Sequence, residues 1–334
     1  MVNKIYITGG SGFVGTQLCQ RLADHQVKFI IIDINKSQKF PENTRIADIR
    51  ILDELHLSTF DMQPGDTIIH LAAVHRDDIR NKSLYYDTNV TGTRNICETA
   101  SARGEEKIVF TSSVAVYGFA PIGTDERGEI NPFNEYGRTK HMAELVLGEW
   151  QDGDADRSAL IVRPTVIFGP GNRGNVYNLL NQISSGKFMM IGSGHNKKSM
   201  AYVENVAAFL HHSTMTDGRG VVVNYTDGPD LNMNDLVSMV RGELRNKNST
   251  GLRMPYILGL AFGYVADMVA KITGRRFPIS SIRVKKFCAD SSFSSSKSKV
   301  NGFVAPVSLK DGLTTTLRSE FVNPDPNREI FYTE

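Results

Sequence analysis

The chain has 334 residues, of which 40% are hydrophobic and 22% charged, as in an ordinary globular protein rather than a disordered or fibrous one. Lysine and arginine (38) outnumber aspartate and glutamate (36) by only two, so no net charge is available to attract nucleic acid. The three cysteines are too few and too scattered for a disulfide framework or a zinc site, which excludes disulfide-stapled scaffolds and zinc modules.

The apolar pattern of a strand begins almost at the first residue, at Lys4-Ile5-Tyr6-Ile7, without the basic and apolar regions of a signal peptide. Uninterrupted apolar stretches stay below the roughly 20 residues that a transmembrane helix needs. We therefore expect a cytoplasmic protein with reduced cysteines.

In the first half of the sequence, short β-branched runs alternate with helical patterns, which is typical of a parallel sheet with crossover helices. The predicted strands are residues 4–8, 28–33, 44–47, 67–71, 107–112 and 159–163. The predicted helices are residues 12–24, 89–102, 134–150, 176–184 and 232–245. The fold class that follows is α/β, a Rossmann-like, doubly wound parallel sheet with a smaller C-terminal lobe.

The texture of the sequence changes after Pro164, where turn-rich segments mix with helices. We place the Rossmann domain at residues 1–170 and expect the chain to return to it around residues 200–225. Residues 171–199 and 226–334 would form the substrate lobe, and the serine-rich residues 291–299 a loop.

A glycine-rich stretch, TGGSGFVG at residues 8–15, lies between the first predicted strand and the first predicted helix. Gly9, Gly10 and Gly12 allow a tight turn that brings backbone N–H groups close to a pyrophosphate, and Gly15 allows close packing of the helix. The start of that helix, at Phe13 and Val14, favours negative charge. These features predict a dinucleotide site.

Asp33 ends the next predicted strand, about 20 residues after the glycines. An acid at this position accepts hydrogen bonds from the ribose hydroxyls of NAD and would repel the 2′-phosphate of NADP. We therefore predict NAD as the cofactor.

Tyr136 and Lys140 lie four residues apart in a predicted helix, so both side chains project from one face. A tyrosine with its ordinary pKa near 10 is a poor base, and a nearby ammonium group favours the phenolate. Ser113, at the end of a predicted strand, could hydrogen-bond the same substrate oxygen. Behind a dinucleotide fingerprint, the three residues predict proton transfer at a substrate hydroxyl.

Five motifs occur in order: TGGSGFVG, HLAA at residues 70–73, SSVAVYG at 112–118, YGRTK at 136–140 and RPTVIFGPGN at 163–172. Together they resemble the extended short-chain dehydrogenase/reductase family, which contains nucleotide-sugar epimerases and dehydratases. The resemblance implies that Ser113, Tyr136 and Lys140 are the catalytic triad and that the NAD is tightly bound and recycled. It also implies a cofactor-binding set that comprises Gly9, Gly12, Phe13, Val14, Gly15, Asp33, Asp48, Ile49, Leu71, Ala72, Ala73, Asn89, Tyr136 and Lys140, and a homodimer.

Smaller features distinguish the branches of this family. The dehydratases and related decarboxylases have acids where this chain has Val114 and Ala115, which cannot transfer protons, so dehydration is disfavoured. HRDD at residues 75–78, RGNVYNLL at 173–180, KSMAYVENVAAF at 198–209 and RVKKFCA at 283–289 resemble a bacterial branch. That branch inverts C4 of N-acetylglucosamine on undecaprenyl diphosphate, for surface polysaccharides of the O-antigen type.

Inversion at C4 requires a firmly held diphosphate and a loosely held sugar. His75 and Ser113 would contact the sugar, while Asn172, Arg173, Asn175 and Lys198 would hold the diphosphate. Ordinary nucleotide-sugar epimerases have Arg-Asp where this chain has Lys198-Ser199, and a lysine lacks the bidentate fork of arginine. This departure favours a lipid-linked substrate over a nucleotide sugar.

Residues 254–266 are uncharged and rich in bulky apolar side chains, but too few to span a bilayer. A basic stretch without acids follows at Lys271, Arg275, Arg276, Arg283, Lys285 and Lys286. Residues 254–286 could therefore be an in-plane anchor on the cytoplasmic face of the inner membrane. A buried helix of the second lobe or a dimer helix would have the same composition.

Three other functions fit the sequence. A UDP-N-acetylglucosamine or UDP-glucose 4-epimerase would need no membrane contact. A dehydrogenase of an apolar secondary alcohol would use the apolar segment as a lid and would release NADH. A non-enzymatic NAD-responsive module is disfavoured, because a sensor has no use for a proton-transfer triad.

Overall fold

The structure is a computed structural model that describes residues 3–76, 79–247, 249–274, 280–295 and 302–333. Its strands are β1 (Ile5–Thr8), β2 (Phe29–Asp33), β3 (Thr44–Ile46), β4 (Thr67–His70), β5 (Lys107–Thr111), β6 (Ser158–Pro164), β7 (Val166–Phe168), β8 (Met190–Ile191), β9 (Lys197–Tyr202), β10 (Val221–Tyr225), β11 (Asp227–Asn232) and β12 (Arg253–Met254). Its α-helices are α1 (Phe13–Asp24), α2 (Leu52–Ser58), α3 (Ser83–Tyr86), α4 (Gly92–Arg103), α5 (Glu135–Asp152), α6 (Asn175–Ser184), α7 (Val203–Ser213), α8 (Met233–Arg245), α9 (Tyr256–Thr273), α10 (Ser281–Cys288) and α11 (Leu309–Leu317).

Seven strands form a sheet in the order β10-β6-β5-β4-β1-β2-β3, and each neighbouring pair is parallel. From β1 the chain winds outward to β3 on one side and then, from β4, outward on the other. This order reverses between β1 and β4, and ligands bind at such a switch point beside the carboxyl ends of the strands. The predicted fold class is confirmed.

Both faces of the sheet are covered, which explains why its strands are nearly continuous apolar runs. On one face, Tyr6 and Ile68 pack with α4 and α5, whereas on the other Ile7 and Ile69 pack with α1 and α7. Six strands lie within a residue or two of their predicted bounds. The seventh strand of this sheet, β10, was not predicted, because the sequence indicated only that the chain returns to the first domain in this region.

The C-terminal part builds a second, smaller sheet in the order β11-β9-β7 and a parallel pair of β8 with β12. A third apolar cluster joins α6, α8 and α11 to β9. The division of the chain near residue 170 stays a prediction, and α7 and β10 belong to the core of the main sheet.

The helix predicted at residues 89–102 consists of a π-helical turn, Asp87–Thr91, followed by α4. The apolar segment that begins at residue 254 is also longer than expected, because α9 continues to Thr273. Within the described residues, α9 is long and apolar enough to cross a membrane by length and composition alone. Of the predicted serine-rich loop, residues 296–299 lie outside the described part of the chain, as do Arg275 and Arg276.

Candidate active site

One cavity of about 810 Å³ opens at the switch point, between the glycine-rich loop, the ends of β2, β4 and β5, and the start of α5. Its volume is in the range of small-molecule and cofactor pockets. Predicted site residues that line it are Gly9, Gly12, Phe13, Val14, Gly15, Asp33, Asp48, Ile49, Leu71, Ala72, Ala73, His75, Ser113, Tyr136, Lys140, Asn172 and Asn175. The cavity therefore brings most of the predicted cofactor and catalytic residues together.

The glycine-rich loop is packed so tightly that two of its glycines admit no side chain. Gly9 has a φ of +73°, and a Cβ there would lie 2.6 Å from the backbone nitrogen of Ala72. A Cβ on Gly15 would lie 2.5 Å from the Cα of Gly10. The loop therefore exposes backbone rather than side chains, beside the N–H groups at the start of α1 that have no acceptor within the helix.

Two carboxylates lie on the side of this loop where the adenosine of a dinucleotide would bind. Asp33 accepts hydrogen bonds of 3.0 Å from the N–H groups of Ser11 and Asn35, and burial raises its pKa. Asp48 lies further along the wall, and its pKa is held below the usual value mainly by hydrogen bonds from the Arg50 guanidinium. An acid next to the glycine-rich loop suits ribose hydroxyls and disfavours a phosphate at the same place.

Asn89 is buried behind the cavity wall, and its hydrogen bonds hold two parts of that wall together. Its side-chain amide exchanges two hydrogen bonds with the backbone of Val74, at 2.8 and 2.9 Å, and donates a third to Thr139 Oγ1 at 2.9 Å. Asn89 thereby ties the loop after β4 to α5. The structure gives Asn89 a positioning role and not a place in the lining.

Ser113 and Tyr136 line the cavity from the starts of a 3₁₀ turn and of α5, and a capping hydrogen bond fixes the backbone at each start. Ser113 precedes a short 3₁₀ turn, and its Oγ accepts a hydrogen bond of 3.1 Å from the Ala115 N–H. Asn134 caps α5 by accepting a 2.9 Å hydrogen bond from the Gly137 N–H, which places Tyr136 in the first turn. Lys140 follows one turn later, so all three predicted catalytic residues border the same space.

The Lys140 side chain is only 2% exposed, and its Nζ lies 4.3 Å from the centre of the Phe110 ring. Burial lowers the pKa of this ammonium group to about 7, although the nearby Glu144 carboxylate opposes the shift. A lysine with this pKa changes charge near neutral pH, which is useful for a residue that tunes a neighbouring phenol.

A buried polar network supports this end of the sheet. Arg163 donates two hydrogen bonds to Glu144, at 2.8 and 2.6 Å, and a third to the Tyr117 hydroxyl at 2.6 Å. Ser112, next to the predicted catalytic Ser113, donates a 2.5 Å hydrogen bond to Glu144. Burial alone would raise the pKa of Glu144, but the hydrogen bonds and charge of Arg163 hold it below its usual value.

The residues predicted to hold a diphosphate divide into two groups. Asn172 and Asn175 line the cavity, at the start of α6. Arg173 instead pairs with Glu320 at 2.9 Å, and the Lys198 ammonium donates hydrogen bonds to the carbonyl groups of Lys286 and Ala289. Neither Arg173 nor Lys198 is in the cavity lining that the described residues form, and their assignment stays a prediction.

Sequence reasoning missed two basic lining residues, Arg50, which pairs with Asp48, and Lys286 of α10. Lys286 reaches the cavity near Phe133, where its Nζ lies 4.8 Å from the ring centre. The RVKKFCA motif was the available signal, but its three basic residues could equally be ordinary surface residues. His75 lines the cavity as predicted, whereas Asp77 and Asp78 of the same motif lie outside the described residues.

The cavity wall fits a dinucleotide. The start of α1 and the glycine-rich loop offer backbone N–H groups to a pyrophosphate, and the cradle at Gly9 has no room for a Cβ. Asp33 would accept from a ribose, while Tyr136 and Lys140 border the opposite part of the cavity. These residues would hold NAD with its nicotinamide end toward the catalytic residues.

Comparison with known proteins gives a consistent result. The sequence profile described as the NAD dependent epimerase/dehydratase family matches residues 5–224. The chain is 47% identical to N-acetyl-alpha-D-glucosaminyl-diphospho-ditrans,octacis-undecaprenol 4-epimerase of Escherichia coli O157:H7, over the full length of both. It is 27% identical to the decarboxylating sterol-4-alpha-carboxylate 3-dehydrogenase of Saccharomyces cerevisiae, over 95% of this chain and 97% of that one.

The fold also resembles that of MoeE5, whose structure is known in complex with UDP-glucose and NAD. The TM-score is 0.72 at 22% identity, over 95% of this chain and 98% of MoeE5. The matches confirm the predicted family, enzyme class and NAD cofactor. This chain is a member of the NAD-dependent epimerase/dehydratase family.

Proposed function

We propose that this protein is a 4-epimerase that interconverts N-acetylglucosamine and N-acetylgalactosamine on undecaprenyl diphosphate. The observation that supports this most strongly is the 47% identity, over the full length of both chains, to the E. coli epimerase of lipid-linked N-acetylglucosamine. The cavity has the groups that the reaction requires, since Ser113, Tyr136 and Lys140 border one space. The product would serve bacterial surface polysaccharide synthesis of the O-antigen type.

Inversion at C4 requires removal and return of both a proton and a hydride. Tyr136 takes the proton from the C4 hydroxyl, and Ser113 hydrogen-bonds the same oxygen. Lys140 favours the phenolate form of Tyr136 through its charge when the ammonium group is protonated. NAD, when bound, supplies the hydride acceptor at C4 and the donor that returns the hydride to the other face.

The reaction needs a diphosphate that is held firmly and a sugar that is held loosely enough to rotate and present its other face to the cofactor. We assign the diphosphate to the Lys286 ammonium and to the start of α6 at Asn175, because both line the cavity. A helix start and a lysine are each suited to phosphate oxygens. Asn172 stays in the proposed set, while Arg173 and Lys198 leave it.

We further propose that the protein acts as a peripheral protein on the cytoplasmic face of the inner membrane, and that it is a homodimer. The substrate of the E. coli relative, by its name, is attached to undecaprenol, a lipid confined to a membrane. Light scattering on the purified protein tests the dimer, and a mass of about 37 kDa would contradict it.

The catalytic assignment is tested by Tyr136→Phe, which removes only the hydroxyl. Removal of a general acid–base group should lower turnover about 10²- to 10⁴-fold while NAD still binds. Tyr256→Phe, on the surface helix α9, is the matched control and should keep full turnover of a water-soluble substrate analogue. Unchanged turnover in Tyr136→Phe would refute the proposed mechanism.

A further inference from the structure

We propose that the outward face of α9, flanked by cations of α10, docks in the plane of an anionic membrane surface and sets the cavity beside it. The proposal rests on the proposed function in one respect, namely that the substrate lies in a membrane. It names the surface of this chain that makes the contact and the lipids that this surface fits.

The burial pattern of α9 is the reverse of that of an ordinary surface helix. Its buried residues are Gly259 and Gly263, which lie one turn apart on the same side. A Cβ on Gly259 would lie 2.6 Å from Ile191, and a Cβ on Gly263 would lie 2.8 Å from the backbone of Ser281. The helix therefore turns its smallest residues toward the protein and cannot bury its bulky ones there.

Apart from Leu260, which is half-buried, the bulky apolar residues of α9 remain on the outside. Their exposed fractions range from 38% to 78%, and they are Tyr256, Ile257, Leu258, Phe262, Tyr264, Val265, Met268, Val269 and Ile272. Monomeric proteins in water seldom leave so many large apolar side chains exposed together, and such patches mark interaction sites. An apolar face of this kind, with aromatic residues, suits the boundary between headgroups and acyl chains.

Charged groups at the edge of this face favour an anionic partner. The cations are Lys271 at the end of α9 and Arg283 and Lys285 on α10, while Lys286 of the same helix lines the cavity. Lys285 lies over the ring of Tyr264, 5.5 Å from its centre, and so joins the cations to the apolar face. The single acid of α9, Asp267, instead accepts hydrogen bonds from the Ser281 N–H and hydroxyl, at 3.1 and 2.5 Å.

The same two helices connect the docking face to the cavity. α9 packs against α10, and α10 brings Lys286 to the cavity wall. A diphosphate at Lys286 would therefore lie next to the face that touches the membrane, while its lipid tail stays in the bilayer. The close packing of Gly259 and Gly263 on the protein favours a helix that lies in the surface rather than one that crosses the membrane.

A second copy of this chain is the competing occupant of the face. In a two-fold contact the same patch meets itself, so the cations beside one α9 would come close to those of the other. An anionic bilayer meets the apolar face and neutralises the cations at the same time. The charge pattern therefore favours the membrane.

The test is flotation of the purified protein with vesicles, without substrate. The vesicles are equal mixtures of phosphatidylglycerol and phosphatidylcholine, or phosphatidylcholine alone. We expect the wild type to float with the anionic vesicles and the triple variant Ile257→Gln, Phe262→Gln, Met268→Gln to lose at least about tenfold in vesicle affinity. Lys271→Gln with Lys285→Gln should lower affinity for anionic vesicles only, by about fivefold for each cation.

The matched control changes three comparably exposed apolar residues far from α9, as Leu57→Gln, Phe60→Gln and Met215→Gln. This variant should float like the wild type. Equal loss in both triple variants, or wild-type flotation of the α9 variant, would overturn the proposal. So would an α9 variant that turns a dimer into a monomer when the wild type does not float.

Activity assays separate this proposal from the proposed function. The α9 variant should turn over a short-prenyl, water-soluble diphosphate sugar at the wild-type rate but lose turnover of the undecaprenyl substrate in vesicles. Equal loss on both substrates would overturn a docking role. If the wild type floats but turns over neither substrate, the proposed function fails and the docking surface stands.

Discussion

The ammonium group of Lys140 lies 4.3 Å from the centre of the Phe110 ring, in a place where water has almost no access. A charge at this position is stabilised by the face of the ring and by Glu144, but it loses its hydration. Loss of hydration is the larger effect, since the pKa is lowered to about 7. The folded protein therefore carries a destabilising charge below neutral pH.

Replacement of Lys140 by methionine should stabilise the NAD-free protein at low pH. Between pH 7 and the ordinary lysine pKa near 10.5, the unfolded chain binds more protons at this site than the folded one, so wild-type stability rises with pH. Lys140→Met should exceed the wild type by about 2–4 kcal/mol at pH 6 and by little at pH 10. Urea unfolding at both pH values measures this, with the exposed Lys310→Met as the control. A difference that does not change with pH would contradict the account.

Loss of the Arg163 side chain should destabilise the fold strongly. Arg163→Met leaves the buried Glu144 carboxylate without its cation and takes one hydrogen bond from the Tyr117 hydroxyl, which costs about 3–5 kcal/mol. Urea unfolding is the measurement, and Arg163→Met combined with Glu144→Met should recover part of the loss. A loss below about 1 kcal/mol, the usual range of surface pairs, would show that the network contributes little.

Lys286 and Lys285 are adjacent on α10 but differ in what they face, and this gives a matched pair of variants. Lys286→Met should raise KM for a water-soluble diphosphate sugar at least about tenfold, because the charged hydrogen bond that we propose between Lys286, a cavity-lining residue, and phosphate would be lost. Lys285→Met should leave KM unchanged, since Lys285 lies over Tyr264 at the surface. If Lys198→Met raised KM more than Lys286→Met, the original assignment from the sequence would be right instead.

Asp33 should decide between NAD and NADP. Asp33→Asn keeps the shape but removes the charge, so affinity for NAD should fall about tenfold and discrimination against NADP should weaken. Titration of the NAD-free protein with each cofactor measures both constants, and Asp24→Asn on the far end of α1 is the control. Unchanged discrimination would mean that the 2′-phosphate is excluded by another group.

The strands and the glycine-rich loop could be predicted because their signals are local. Both faces of β1 and β4 are buried, so each is an apolar run, and the tight turn at Gly9 requires its residue type. Local signals could not show whether Lys198 or Lys286 reaches the cavity. Which of them reaches the cavity depends on how α10 packs against β9 and α9, and that is a contact between distant parts of the sequence.

The buried environment of Lys140 was also invisible in the sequence. Its spacing from Tyr136 predicts a shared helix face, but the lowered pKa comes from burial in a core that distant parts of the chain complete, such as Phe110 of β5. Likewise, composition left three roles open for the apolar segment. The inward position of Gly259 and Gly263, a matter of tertiary packing, is what exposes the bulky face.

The most direct test of the central claim is a paired assay of the purified protein without added NAD. N-acetylglucosamine diphosphoundecaprenol in anionic vesicles and UDP-N-acetylglucosamine are supplied separately, and C4 inversion is measured by the appearance of N-acetylgalactosamine. The proposed function predicts inversion of the lipid-linked sugar, with little or none of the UDP-sugar and no net NADH. Inversion of the UDP-sugar alone would contradict it, and net NADH release would show a dehydrogenase instead.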